Sequence, residues 1–430
     1  MVPLKGLTKA ISVADLFLFW ISRMAGSLAT FVVSKFGNAS VVGGRVALIL
    51  FPGFLRVARR QIKFPITFVM GSNGKTTTSK YLVALAENDG EVVLTNSAGS
   101  NMKTGIAAMV IRNWKDILQG KFTCGVFEVD EGYAASLGRD LAPEHAVFLN
   151  VQIDQIYRLH EPERVADMFA GTITSVTESL VLNGNDSLLV EMSKLAKPGV
   201  TIAYFGLADG DIKNLGLYKP VPLSSSATNV RIFQTDNGYQ LELGKKKVDF
   251  KVPSRGLHYA LNGSAAIASR ISSTGKLERL SVFAEAIASG SPAFGRGEVI
   301  KRGNAQFELI LFKNRPSLQL NINSVVGPAD TTVLAFDEYS QDPSWLFAVD
   351  YSKLLKVDWV SGEKADFLEL ALSYLGMEVL GRNESIKAVV QGIDEKYRNA
   401  STPSVHRLFL DYEQMLAVRS YFGLKLGVTE

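Results

Sequence analysis

One cysteine, Cys124, stands in a chain of 430 residues, which excludes an internal disulfide framework and any zinc site built from several cysteines. Its place in the apolar run Phe122 to Val126 makes it a small core side chain, and a reducing, cytoplasmic setting is the default expectation. A strong excess of one charge sign is lacking as well. Lysine and arginine number 46 against 42 aspartates and glutamates, and a net charge of +4 is too small and too dispersed for a nucleic-acid partner. A clean membrane span is also lacking. The stretch "ISVADLFLFWISRMAGSLATFVVSKFG" is interrupted by Arg23, flanked by Asp15 and Lys35, and shows no small-residue cleavage site, so neither a spanning helix nor a signal peptide is expected. Helical spacing gathers Phe17, Trp20, Ile21 and Met24 on one face. The favoured reading is a core-facing helix, and the second is peripheral contact at the inner face of the plasma membrane. Arg56, Arg59, Arg60 and Lys63 follow as a basic cluster, read as a solvated helix face or a contact for anionic headgroups.

What is present is ordinary globular material, 47% hydrophobic and 20% charged, long enough for two or three domains. Within it, "VMGSNGKTTTSKYL" ends a buried-strand run, Ile66 to Met70, with two glycines, a lysine and three threonines. That combination suits a polyphosphate. Glycines allow backbone N–H groups to approach phosphate oxygens, the following helix adds unpaired N–H groups and a positive dipole end, and Lys75 supplies a point charge. Thr76 would offer its hydroxyl to magnesium. The loop is a variant of G-x-x-x-x-G-K-[ST], because Val69 occupies the place of the first glycine and Gly71 comes two residues later. Lys75 is expected to stand exposed until a nucleotide arrives.

Short apolar runs alternate with helical segments at Ile66 to Met70, Glu91 to Leu94, Gly125 to Val129, Ala146 to Leu149, Ser179 to Leu182 and Thr201 to Phe205. This rhythm predicts a parallel sheet with crossover helices, whose ligands lie beyond the carboxyl ends of the strands. Two such ends carry chemistry. Glu128, Asp130 and Glu131 close one run, and Asn150, with Asp154 and His160 beyond it, closes another. Hard oxygen ligands at a phosphate loop are what magnesium requires, although acidic loop residues are commonly just solvated.

Residues 206 to about 250 are rich in turn formers, with Asp236-Asn237-Gly238 joining alternating strands, and predict a small antiparallel insertion. "SGSPAFGRGEVI" is a natural hinge. The expected organisation is an amino-terminal helical segment over 1–60, a central ATP-binding domain over 61–293, and a carboxyl-terminal α/β domain over 294–430.

"GSNGKTTT", "EVDE", "HYALNGSAAIA" and "FGRGE", in this order, resemble the Mur ligases and folylpolyglutamate synthases, which activate a carboxylate as an acyl phosphate and form an amide bond. "TNSAGSNMKTGIA", "GVFEVDEGY", "PAFGRGE", "KNRP", "DPSWLFAVDY" and "SGEKADFLELALSYLG" are similar to the MurT/GatD type of that family, from residue 40 to the end. The resemblance implies an α/β fold with a Mur-ligase-like central parallel-sheet ATPase domain, using ATP and Mg2+. It places Gly71, Asn73, Gly74, Lys75, Thr76 and Thr77 around the phosphates, Thr76 and Glu128 on the metal, Asn262 near the adenine and Arg296 at the nucleotide. Lys75 and Glu128 then count as catalytic. A third catalytic group is an aspartate lent to a GatD-like glutamine amidotransferase subunit; Asp337, Asp342 and Asp350 are candidates, with Asp342 chosen because it directly precedes Pro343-Ser344-Trp345. The implied acceptor is lipid II at the membrane surface.

Departures are equally specific. "EPERVADMFAGTITSVTESL" has no lysine where amino-acid-adding Mur ligases carry a modified one. No zinc is expected, because the middle-domain ribbon of MurT-type relatives needs four cysteines. "DEYSQDPSW" is a shortened form of the family's acidic-glycine loop, and Phe347-Ala348 replaces a Trp-Asp pair. Three readings follow: an ATP-dependent carbon–nitrogen ligase that amidates the D-glutamate carboxylate of lipid II, a Mur- or folylpolyglutamate-type ligase that adds an amino acid, and a nucleotide-binding relative without turnover.

Overall fold

A computed structural model describes residues 11–35, 41–96, 100–152, 162–210, 212–236, 238–254, 256–291, 295–337 and 343–424, apart from the side chains of Asn214 and Arg296. Asp154, His160 and Asp342 therefore lie outside the described residues, as does the side chain of Arg296.

The first sheet has nine strands: β1 (Ile66–Met70), β2 (Val93–Thr95), β3 (Cys124–Glu128), β4 (His145–Phe148), β5 (Ser179–Asn183), β6 (Thr201–Leu207), β7 (Val230–Thr235), β8 (Gly238–Leu243) and β9 (Lys246–Phe250). Their spatial order is β2-β3-β1-β4-β5-β6-β7-β8-β9, parallel from β2 to β7 and antiparallel from β7 to β9. The antiparallel piece expected as an insertion thus continues the main sheet at its edge. The pairing of β6 with β7 explains this: Phe205, Gly206 and Leu207 of β6 stand in register with Val230, Arg231 and Ile232 of β7, so the hairpin is held by the sheet instead of standing alone.

Alternation along β1 assigns the two faces. Ile66, Phe68 and Met70 join a core with Phe127, Phe148 and the amino-terminal helices, whereas Val69 joins Val126, Val147 and Val181 on the other side. The first face is covered by α1 (Val13–Ser34), α2 (Val42–Leu50) and α3 (Phe54–Arg59). Small residues let these helices meet. A Cβ on Gly43 would come within 2.6 Å of the Gly26 carbonyl oxygen, and one on Gly44 within 1.9 Å of the Thr104 carbonyl oxygen. The second face receives α4 (Lys75–Asn88) and the helix Leu257–Thr274.

Arg59 corrects the reading of the basic cluster as a solvated face. It is fully buried, donating to the carbonyls of Leu141 and Ile62 at 2.6 and 2.7 Å and pairing with Glu144 at 2.5 Å. Arg56 and Arg60 are half-buried and Lys63 is exposed.

The second sheet begins at Arg296. Its strands are β10 (Arg296–Arg302), β11 (Ala305–Leu311), β12 (Thr331–Ala335), β13 (Val357–Ser361), β14 (Val379–Asn383) and β15 (Ser404–Leu410), in the order β10-β11-β15-β12-β13-β14. Only the β10–β11 pair is antiparallel. Helices cover both faces, Ala365–Tyr374 on one and Ile386–Tyr397 with Tyr412–Tyr421 on the other.

Candidate nucleotide-binding site

The chain leaves β1 for β2 on one side of the sheet and leaves the neighbouring β4 for β5 on the other, so the carboxyl ends of β1 and β4 flank a topological switch point. The glycine loop emerges there. Gly71 has φ +142° and Gly74 has φ +89°, both in the region that a side chain resists. Space is equally restrictive, because a Cβ on Gly71 would lie 2.8 Å from the Leu149 Cβ and one on Gly74 would lie 2.3 Å from the Asn262 Oδ1. Gly74 caps α4 without a side chain, so nothing from the cap itself covers the amides of the first helical turn.

The loop is clamped from two sides. Asn73 N–H donates to the Asn150 Oδ1 at 2.9 Å while the Asn150 side chain returns a bond to the Asn73 carbonyl at 3.0 Å. Ser72 N–H donates to the Asn150 carbonyl, and Gln152 N–H donates to the Ser72 hydroxyl at 3.0 Å. From the second sheet, Lys313 Nζ donates to the Ser72 carbonyl at 2.7 Å, and the side chains of Asn73 and Asn314 exchange hydrogen bonds at 3.3 and 3.4 Å. Asn314 is also the N-cap of the helix Arg315–Asn323, which Pro316 helps to start. The motif "KNRP" therefore places a cation and an amide on the phosphate loop, a role that spacing alone did not reveal.

Lys75 differs from expectation. It is buried, donating to the Gly71 carbonyl at 2.7 Å and pairing with Glu131 at 2.5 Å. A bound phosphate would compete with Glu131 for this ammonium. Thr76 is half-buried and Thr77 is buried, both in the first turn of α4.

The three carboxylates beyond β3 have separate tasks. Glu131 holds Lys75, Asp130 accepts from the Gly132 N–H at 3.0 Å, and Glu128 is buried and its carboxylate accepts from the Asn101 Nδ2 at 3.4 Å. The Glu128 backbone is fixed by Asn96, whose side chain accepts from its N–H at 2.8 Å and donates to its carbonyl at 2.9 Å. Asn96 was not among the residues picked out from the sequence. Among the described residues no group of three or more His, Cys, Asp or Glu side chains is placed to hold a metal. Glu128 stands in register with Val69 at the end of β1, beside the loop that leads to Thr76; a nucleotide-bound divalent ion needs only one or two protein oxygens and completes its shell with phosphates and water. Cys124, buried, has its thiol pushed up to about 12, chiefly by burial and then by Glu91, so it is an inert core group.

The other candidates are spread out. Asn262 touches the loop at Gly74. The backbone of Arg296 opens β10, in the second sheet. Asp337, following β12, is turned into its own domain: it accepts from the Glu363 N–H at 2.8 Å and from the Gln414 side chain, beside Asp411, whose carboxyl is raised to about 6, chiefly by burial. Asp350 is exposed and accepts from the Ser352 N–H at 2.9 Å; the Ser352 hydroxyl first, and then this N–H, hold its carboxyl below the ordinary value.

A nine-stranded mixed sheet with a glycine loop at its switch point, joined to a second α/β sheet, has the Mur ligase fold. The Mur ligase middle domain matches residues 69–270. MurF from Acinetobacter baumannii superposes with a TM-score of 0.66 at 17% identity, covering 87% of this chain and 80% of that one. A bifunctional folylpolyglutamate synthase/dihydrofolate synthase from Yersinia pestis, complexed with AMPPNP and a Mn ion, gives a TM-score of 0.63 at 15% identity over 86% and 92% of the two chains. More particularly, the chain is 24% identical to the lipid II isoglutaminyl synthase (glutamine-hydrolyzing) subunit MurT of Streptococcus pneumoniae over 93% of this chain and 97% of that relative. The resemblance to the MurT type read from the motifs is therefore matched along nearly the whole chain.

Proposed function

We propose that this protein is an ATP-dependent ligase that amidates the D-glutamate α-carboxylate of lipid II, with ammonia from a GatD-like glutaminase subunit. The observation that carries the reading is similarity to a MurT subunit over almost the full length of both chains, with an intact glycine–lysine–threonine loop. A substrate carboxylate oxygen attacks the γ-phosphorus of ATP and ADP leaves; ammonia then attacks the acyl carbon, phosphate departs, and a proton is released. Amides at the start of α4, with Lys75 and Lys313, supply positive field where charge gathers on the equatorial oxygens. Thr76 and Glu128 would hold Mg2+, which supplies Lewis-acid neutralisation of phosphate charge. The missing lysine in "EPERVADMFAGTITSVTESL" weighs against addition of an amino acid.

The test is reconstitution with a candidate glutaminase, ATP, Mg2+, glutamine and lipid II, followed by mass analysis. Conversion of a carboxylate to a carboxamide is the expected result; addition of an amino acid mass selects the second reading, and no ATP consumption selects a binding protein. Glu128→Gln keeps the shape of the side chain but removes an anionic oxygen, so activity is expected to fall and to require more Mg2+. An unchanged Mg2+ titration removes Glu128 from the metal site.

The aspartate lent to the glutaminase is assigned to Asp342. Asp342 is chosen because it directly precedes Pro343-Ser344-Trp345, the best-matched part of the motif, while Asp337 accepts from the Glu363 N–H and Asp350 from the Ser352 N–H. Such a carboxylate would orient the partner's histidine and stabilise its charged form. Asp342→Asn is expected to preserve complex formation and ATP binding while reducing glutamate release from glutamine. If it only capped a turn, asparagine would serve nearly as well and release would not change.

A further inference from the structure

We propose that the outward face of α1 docks on an anionic lipid bilayer, with the helix lying along the headgroup layer. The packing of α1 inverts the usual arrangement of a surface helix. Its buried positions are Phe19, Ser22 and Gly26, two of them small and polar or glycine, whereas Phe17, Met24, Leu28 and Phe31 are 66%, 64%, 63% and 59% exposed. Positions 17, 20/21, 24, 28 and 31 fall on one stripe at helical spacing, and 19, 22 and 26 fall on the opposite side. Apart from Phe19, the stripe therefore contains the aromatic side chains of the helix and faces away from the protein. Exposed Ile49 and Leu50 at the end of α2 add to the apolar surface of this layer.

The charges identify the occupant. Residues 11–63 contain seven lysines and arginines and one acidic residue, Asp15; Arg59 is buried on Glu144, and the other six leave this layer strongly basic. Asp15 is committed to the capping box at the start of α1, where Ser12 N–H donates to it at 2.9 Å. The cations sit on the aromatic stripe itself: the Arg23 guanidinium lies 4.8 Å from the Trp20 ring centre and Lys35 Nζ lies 4.6 Å from the Phe31 ring centre. An apolar face whose rim is cationic and carries no competing carboxylate matches acyl chains below anionic headgroups, with aromatic and basic side chains at the depth they favour.

The seat of the helix distinguishes lying from crossing. Although α1, 22 residues long, is long and apolar enough to span, Phe19 stacks on Phe54 at 4.9 Å and meets Trp114 at 5.0 Å, and Gly26 crosses α2 at Gly43. Spanning would strip these contacts and bury Arg23 in hydrocarbon. Lying in the interface keeps them.

The experiment is co-sedimentation of the full chain with vesicles of phosphatidylcholine alone or mixed with phosphatidylglycerol. Binding to the mixed vesicles, weakened by high salt and by omission of phosphatidylglycerol, is expected. Phe17→Glu/Met24→Glu/Leu28→Glu is expected to reduce partition by about tenfold or more, because it places charge where acyl chains would sit; its melting temperature should hold, since all three side chains are exposed. Quenching of Trp20 fluorescence in the parent protein by brominated lipid, absent in Trp20→Phe, gives a reading that needs no fold-sensitive variant. Equal partition of parent and triple variant overturns the proposal. So does an α1-dependent dimer with no vesicle binding, which makes a second copy the occupant, and so does resistance to alkaline extraction, which makes α1 a span.

Discussion

Lys75→Ala is expected to lose nucleotide-dependent turnover by about two to three orders of magnitude, the scale for removing one preorganised charge-stabilising group from a transition state. The same substitution should also cost stability. Lys75 is buried against Glu131 at 2.5 Å, so removing the ammonium leaves a buried carboxylate with its countercharge gone. Breaking such a pair from one side costs up to about 3–5 kcal/mol, and the lower part of that range applies here because the loop borders the site opening. The two effects separate in the double variant Lys75→Ala/Glu131→Gln. Neutral glutamine no longer needs a cation, so the midpoint of urea unfolding should recover most of the loss while turnover stays abolished. Recovery of turnover together with stability would mean that Lys75 serves the fold and that phosphate is held by other groups, Lys313 among them.

The parts of this site that could be read in the sequence are those fixed by local chemistry. A β-branched and aromatic run ending in glycine, followed by lysine and threonines, specifies strand, tight loop and helix start within fourteen residues, and β1 and α4 form there. The strand rhythm pointed to the parallel sheet for a related reason: the central runs, β3, β4 and β5, are buried on both faces and read as continuously apolar. What stayed hidden depends on contacts between distant segments. Lys313 and Asn314 reach Ser72 and Asn73 across 241 positions, and no periodicity encodes that meeting. Glu131 was visible as an acidic residue at a strand end, but only the fold turns it onto Lys75 in place of leaving it to a metal. The face of α1 was misjudged differently. Phe17, Trp20, Ile21 and Met24 do share a side, yet the core takes the opposite one, because Ser22 and Gly26 permit the close approach of α2 that bulky residues forbid. A hydrophobic stripe marks a face that avoids water without naming what covers it.

Arg59 gives the second large effect, and it is one of stability. Sequence places it in a basic run beside Arg60, whereas the structure buries it at the foot of the first sheet, where its guanidinium serves Leu141 O, Ile62 O and Glu144 at once. Glu144 in turn accepts from the Ile66 N–H at 2.8 Å, so the pair ties α3 to the first residue of β1 and to the entrance of β4. Burial lowers the Arg59 pKa and raises that of Glu144, in each case outweighing the opposing pull of the partner. The ion pair is thus maintained by its geometry and its backbone bonds more than by net attraction, as expected where desolvation is expensive. Removing one partner is a different matter. Arg59→Ala leaves a buried carboxylate, two unpaired carbonyls and a cavity, and is expected to cost about 3–5 kcal/mol in urea unfolding. Arg59→Lys should recover only a fraction, since one ammonium cannot reach three acceptors fanned around a planar fork. Glu144→Gln should cost less than Arg59→Ala, because its amide oxygen can still accept from Ile66. Turnover per folded molecule should remain near the parent value in all three, as this end of the sheet is opposite the glycine loop. A loss below about 1 kcal/mol for Arg59→Ala, the worth of an ordinary exposed pair, would show that water reaches Glu144 and that the network does not fasten α3 to the sheet.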